Sequence, residues 1–165
     1  MFNWLEKRGK KFTEVISCVE GVLIPLKDVK DPAFSSGAIG RGIAIQPKSS
    51  SVVSPVDGTI QMIFPTNHAI GIATSDGLEF LIHIGIDTVK LKGEGFKLFV
   101  SEGQTVRKGD VIVEVDFDLL NRKGYSTDTM LLLTTDQAKA EFLDIGPYGE
   151  LVGGKDQTLF KCSMK

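Results

Sequence analysis

The chain has 165 residues, 42% hydrophobic and 24% charged, and its 19 basic and 21 acidic residues leave a net charge of -2. Such a length and balance fit one globular domain that buries its own core, and they exclude a polycationic nucleic-acid binder. Apolar runs such as "EFLIHIGI" stop far short of the roughly 18–20 residues a membrane helix needs, and no signal-peptide h-region opens the chain. A cytoplasmic protein is therefore expected.

In chain order, residues 1–13 come first. Phe2, Leu5 and Phe12 recur at helical spacing among Lys7, Arg8, Lys10 and Lys11. This reads as a flexible or amphipathic segment suited to contact with an anionic membrane surface. Residues 14–165 read as a single domain. Its apolar runs are short, as in "EVISCVEGVLIPL", "GIAIQP", "SVVSPVDGTIQMIF", "LEFLIHIGI" and "DVIVEV", and 18 Gly and 6 Pro punctuate them. Runs of that length, rich in Val, Ile and Phe, predict many short strands and hence an all-β sandwich or barrel.

Two stretches, "VVSPVDGTIQMIF" and "FVSEGQTVRKGDVIVEVD", each turn on Asp-Gly or Gly-Asp between β-rich runs. They resemble the half-barrel units of biotinyl and lipoyl carrier domains. A carrier lysine belongs at a hairpin tip, however, and the only Met-Lys pair here, Met164-Lys165, ends the chain. Helical spacing is confined to minor elements in "DFDLLNRKG" and "TTDQAKAEF". Cys18 and Cys162 have no metal-type spacing and read as reduced structural thiols. "GELVGGKD" has the glycine and lysine spacing of a phosphate loop, but Asp156 stands where a Mg²⁺-holding Ser or Thr is required.

Both histidines of the chain fall in "NHAIGIATSDGLEFLIHIGID". A two-residue turn at Ser75-Asp76 puts His68 directly opposite His83, and a turn at Asp76-Gly77 makes them diagonal neighbours on one face. Only an odd-length loop or a bulge separates them. Alternation sorts Phe80, Ile82, Ile84 and Ile86 onto one face and Glu79, Leu81, His83, Gly85 and Asp87 onto the other. On the partner strand Thr66, His68, Ile70 and Ile72 share a face. The predicted site is thus two imidazoles with a hydroxyl, a carboxylate and an apolar rim of Ile70 and Leu81. A neutral imidazole is a good phosphoryl acceptor, and a second ring held by a hydroxyl can steady the arriving oxygens, so the chemistry suggested is phosphohistidine formation; spacing alone equally allows two unrelated surface histidines.

The motifs "PVDGTI", "TNHA", "HIGIDTVKLKGEGF", "EGQTVRKGD" and "GRGIAIQP" resemble the glucose-type IIA component of the bacterial phosphoenolpyruvate-dependent sugar phosphotransferase system, from about Ser17 to the C-terminus. The resemblance implies an antiparallel β-sandwich that takes a phosphoryl group from the phosphocarrier protein HPr and passes it to a cysteine of a IIB domain, itself served by membrane IIC. It implies no cofactor. His83 matches the phosphorylated histidine, His68 the second active-site histidine and Thr66 its hydrogen-bonding partner. Phe34, Ile39, Phe64, Leu81 and Val89 match the apolar docking collar, Ile70 stands at a further collar position, and Asp31 and Asp87 match the carboxylates that face an arginine of HPr. Two departures are visible. Gly40-Arg41-Gly42 replaces the usual Gly-Asp-Gly, which is expected to alter partner electrostatics, and two collar aromatics are aliphatic at Ile70 and Leu81.

Two rival readings differ in class. His83-Ile-Gly-Ile-Asp87 supplies an HxxxD spacing, so a lysostaphin-like zinc hydrolase using His68 as well is conceivable, although the HxH of such enzymes is missing. A regulatory binding module that is never phosphorylated is the other, and its expected mark, loss of a histidine, is absent.

Overall fold

The computed structural model describes residues 11–165. The expected membrane-contacting segment lies, for its first ten residues, outside them, and Thr13 already belongs to the first strand.

Among the described residues fourteen strands form three antiparallel sheets. β1 (Thr13–Ile16), β14 (Thr158–Met164) and β12 (Ala140–Asp144) make the first, with β14 central. β4 (Ser51–Val53), β10 (Val111–Val115) and β8 (Phe96–Leu98) make the second. The third has eight strands in the order β13 (Leu151–Val152), β2 (Gly21–Pro25), β3 (Arg41–Pro47), β11 (Thr129–Leu133), β7 (Glu79–Ile84), β6 (Ala69–Ala73), β5 (Gly58–Ile63) and β9 (Thr105–Val106). The expected antiparallel β-sandwich is what forms. No described helix is long and apolar enough to cross a membrane.

The two half-barrel stretches do not fold as separate hairpins. β4 pairs with β10 and β5 with β9, so each stretch completes its sheet from the other. Sequence locates the strands and turns but not this exchange, because pairing partners are chosen by tertiary burial. Of the two minor helices expected, "DFDLLNRKG" forms α2 (Phe117–Arg122), with Asp116 accepting from the Leu119 amide at 3.0 Å as its N-cap. "TTDQAKAEF" is instead a turn running into β12. Its apolar residues Ala140 and Phe142 alternate toward the core in a strand edge-paired to β14.

At its centre the large sheet is buried on both faces. Ile43, Ile45, Ile70, Ile72, Phe80, Ile82, Ile84, Leu131 and Leu133 face the main core, where Val15, Phe160, Val52 and Val113 of the smaller sheets meet them. On the other face Ala44, Met130 and Leu132 are covered by Leu26, Val29 and Phe34 from the connection between β2 and β3. That connection contains α1 (Pro32–Ser35), and it roofs the sheet beside His83.

Arg41 corrects an expectation. It sits on the main-core side of β3, opposite Leu133, and its Nη2 donates to the Ala140 carbonyl at 2.9 Å while the guanidinium lies 5.8 Å from the Phe142 ring centroid. The side chain ties the large sheet to β12 on the face away from the histidines, so it has no direct part in partner electrostatics. Arg41→Asp removes the bond, leaves a half-buried carbonyl unpaired and sets a carboxylate before it. It is expected to cost about 1–3 kcal/mol of stability, read as a lowered Tm, with no change in phosphoryl acceptance.

Candidate active site

The hairpin loop is odd. The last ladder pairs are Ile72 with Phe80 and Ala73 with Glu79, and the Thr74 amide then bonds the Leu78 carbonyl at 2.9 Å around a three-residue tip, Ser75-Asp76-Gly77. Gly77 takes the left-handed φ of +96° that such a tip requires. His83 therefore faces Ala69, not His68, and both two-residue turn assignments are wrong. Strict alternation then sends His68 to the core side with Ile70.

The rings meet all the same, because β6 begins only at Ala69. The four residues before His68 form a turn closed by Asn67 N to Phe64 O at 2.8 Å, with Asn67 at a left-handed φ of +60°. His68 thus escapes the pleat and stands edge-on to His83, ring centroids 5.0 Å apart and planes at 83°. Alternation also fails after His83. Gly85 has φ +73°, and a Cβ there would lie 2.4 Å from Thr88 Cγ2 and 2.9 Å from the Ser126 carbonyl, so only glycine fits. Past it Ile86 packs with the Phe34 cluster rather than the main core.

The hydrogen bonds define each ring. His83 Nδ1 is 2.9 Å from the Gly85 carbonyl oxygen. A carbonyl only accepts, so neutral His83 carries its hydrogen on Nδ1 and its lone pair on Nε2. Thr66 Oγ1 is 2.6 Å from His68 Nδ1, the contact expected from "TNHA". With the hydroxyl donating to Nδ1, His68 keeps its hydrogen on Nε2. Met130, fully buried, lies opposite His83 in β11. Phe34 is 5% exposed and stands 4.7 Å from His83 between centroids, while Phe64 approaches His68 edge-on at 5.5 Å.

This enclosure shapes the protonation. His83 is pushed down to about 4, mainly by burial and then by the neighbouring His68, against the opposing pull of the Gly85 carbonyl, Asp31 and Asp87. His68, 4% exposed, is also lowered by burial. Both rings are neutral at pH 7, which keeps Nε2 of His83 nucleophilic.

Of the expected docking residues, Ile39 and Val89 are 39% and 50% exposed; Phe64 and Leu81 are half-buried. Asp87 takes a left-handed φ of +62° where β7 gives way to the 3-10 turn Thr88–Leu91. Asp31 has a second task. Its Oδ1 accepts from the Ala33 amide at 3.0 Å, capping α1. A four-residue helix does not persist alone; this cap and the burial of Phe34, worth about 1.5–3 kcal/mol, hold it against His83. Ile70 does not belong with these residues. It is fully buried against Ile82 in the main core, because the odd loop turns its side of β6 inward, and it offers a partner no surface.

Two participants escaped the sequence reading. The Gly85 carbonyl is a backbone group, and Met130 comes from β11, whose pairing with β7 the sequence does not display. No group of three or more His, Cys, Asp or Glu side chains that could hold a metal exists among the described residues, so the zinc-hydrolase reading lacks its ligands. A cleft of about 880 Å³ is lined by Lys48, Phe96, Glu114 and Phe117 among others and by no residue of the histidine site. The histidines lie outside that cleft, on a face where His83 is half-buried and Ile39 and Val89 are exposed.

Comparison with known proteins agrees. Residues 13–139 match the family model described as "phosphoenolpyruvate-dependent sugar phosphotransferase system, EIIA 1". The chain belongs to this EIIA family. The EIIA chain is 42% identical over 149 residues to the PTS system glucose-specific EIIA component of Bacillus cereus, covering 88% of this chain and 90% of that one. It is 46% identical over 125 residues to the PTS system glucose-specific EIICBA component of Streptococcus pneumoniae, and that match spans 76% of this chain but only 17% of the relative. The solved structure of glucose permease IIA from Mycoplasma capricolum superposes with a TM-score of 0.84 at 34% identity, covering 98% of this chain and 99% of that one. The EIIA chain is thus a phosphocarrier component of the phosphotransferase system.

Proposed function

We propose that this EIIA domain carries the phosphoryl group on Nε2 of His83, accepting it from phosphorylated HPr and passing it to a cysteine of a IIB domain during sugar uptake in the cytoplasm. The observation that carries the reading is the bond from His83 Nδ1 to the Gly85 carbonyl, which fixes the hydrogen on one nitrogen and leaves the other as nucleophile.

In the first step the bond between phosphorus and the donor imidazole breaks as the Nε2–P bond forms, with the two nitrogens in line. Charge on the phosphoryl oxygens is met by the Nε2–H of His68, held in that tautomer by Thr66. The side chains of Phe34, Phe64 and Leu81 keep water from the intermediate. In the second step the Nε2–P bond breaks as a IIB thiolate takes the phosphorus. Asp31 and Asp87 supply negative charge at the rim for basic partners, and Ile39, Val89, Phe64 and Leu81 supply apolar contact. The printed names of the relatives point to glucose as the transported sugar.

The test is incubation with phosphoenolpyruvate, the general phosphotransfer enzyme and HPr, followed by mapping of the label and ³¹P NMR of the product. One phosphoryl group per chain, on His83 Nε2, is expected. Attachment at Nδ1 or at another residue overturns the reading.

A further inference from the structure

Besides Asp31 and Asp87, which act on His83, the register brings one more carboxylate toward the histidine face. His83 lies opposite Met130, and Thr129 opposite Ile84. The pairing continues one residue further, where the Gly85 amide bonds the Asp128 carbonyl at 3.0 Å. Asp128 lies one residue before β11, and continued alternation puts it on the side of Met130, opposite Gly85, the one position of β7's continuation that has no side chain. A second observation agrees. Lys30, from the connection that roofs this face, lies close enough to act on the Asp128 carboxyl, while its sequence neighbour Asp31 acts on His83. Asp128 is half-buried and Lys30 exposed.

Burial raises the Asp128 carboxyl and Lys30 pulls it back, so its anion gains from a cation brought to it in a partly dry interface more than a fully hydrated carboxylate does. Lys30, on a flexible exposed stem, can give way to such a cation.

We propose that Asp128 is a specificity-determining contact of the docking face, receiving a cationic side chain of the phosphoryl donor in place of the nearby charge of Lys30. This rests on the phosphocarrier reading above. The test is the rate of phosphoryl transfer from phosphorylated HPr, followed by rapid quench. Asp128→Asn is expected to raise KM roughly three- to fivefold at low ionic strength, with the loss carried by KM rather than kcat. Salt near 1 M, where charges are screened within about 3 Å, should shrink the difference. Asp128→Glu, which keeps the charge, should restore most of the affinity. Lys30→Gln should lower KM in the parent chain and change nothing in the Asp128→Asn background. An unchanged KM in Asp128→Asn, or equal effects of Lys30→Gln in both backgrounds, overturns the assignment. Failure of the parent chain to take label on His83 overturns the phosphocarrier reading instead.

Discussion

His83→Ala is expected to take up no phosphoryl group from phosphorylated HPr, against one acid-labile, alkali-stable group per chain in the parent. The substitution should leave the fold in place. His83 is half-buried on the outward side of β7, its strand neighbours Ile82 and Ile84 keep their core contacts, and the ladder to Met130 and Ala69 is made by backbone. His68 is a poor substitute nucleophile, being 4% exposed with Nδ1 bonded to Thr66. Stoichiometric label on His83→Ala would sink the assignment. The same experiment has a pH arm. Burial and the adjacent His68 hold His83 at about 4 rather than 6.5, so its ring should titrate by NMR with a midpoint near 4. The fraction of neutral nucleophile then stays near unity through the range around 6.5, where an ordinary histidine becomes half protonated, and falls only as the pH approaches 4. A midpoint near 6.5 would show that the site is wetter than this geometry allows.

How much of this was legible before the structure differs from element to element. The strands follow from alternation, since Phe80, Ile82 and Ile84 must share a buried face whatever they pair with. The pairing of β4 with β10 and β5 with β9 does not follow, because two similar stretches compete for the same partners and only packing decides. The histidine pair is the sharper lesson. Hairpin geometry brought the rings together through a two-residue turn, and the real loop is one residue different, which by itself sends His68 to the core. What restores the pair is the left-handed Asn67, a local departure that periodicity cannot express. Ile70 shows the cost of the same assumption, since it was placed on the rim by the register that failed. Arg41 shows a different limit. Its charge suggested a partner, whereas its position on β3 directs it to a carbonyl across the sandwich.

His68→Gln should separate the two half-reactions. Among the described residues the ring bonds Thr66 and lies against the rings of Phe64 and His83, and a glutamine amide can occupy much of that space. Acceptance from phosphorylated HPr needs the lone pair of His83 and its hydrogen bond to Gly85, both of which survive. Onward transfer to a IIB cysteine asks more, because the Nε2–P bond must break while negative charge gathers on the phosphoryl oxygens, and the Nε2–H of His68 is the donor facing that charge. Glutamine keeps an amide N–H but lacks the ring that Thr66 fixes, so the donor is no longer held at the place of the imidazole Nε2–H; full removal of one such donor costs on the order of 10²–10³ in rate in other enzymes, and a loss up to that order is expected in transfer to IIB, with acceptance slowed far less. Thr66→Val should follow in the same direction and more weakly, since it frees the His68 tautomer without deleting the ring. Single-turnover assays of each half-reaction decide the matter. Equal losses in both would mean that His68 serves the structure of the site and not the departure of the phosphoryl group.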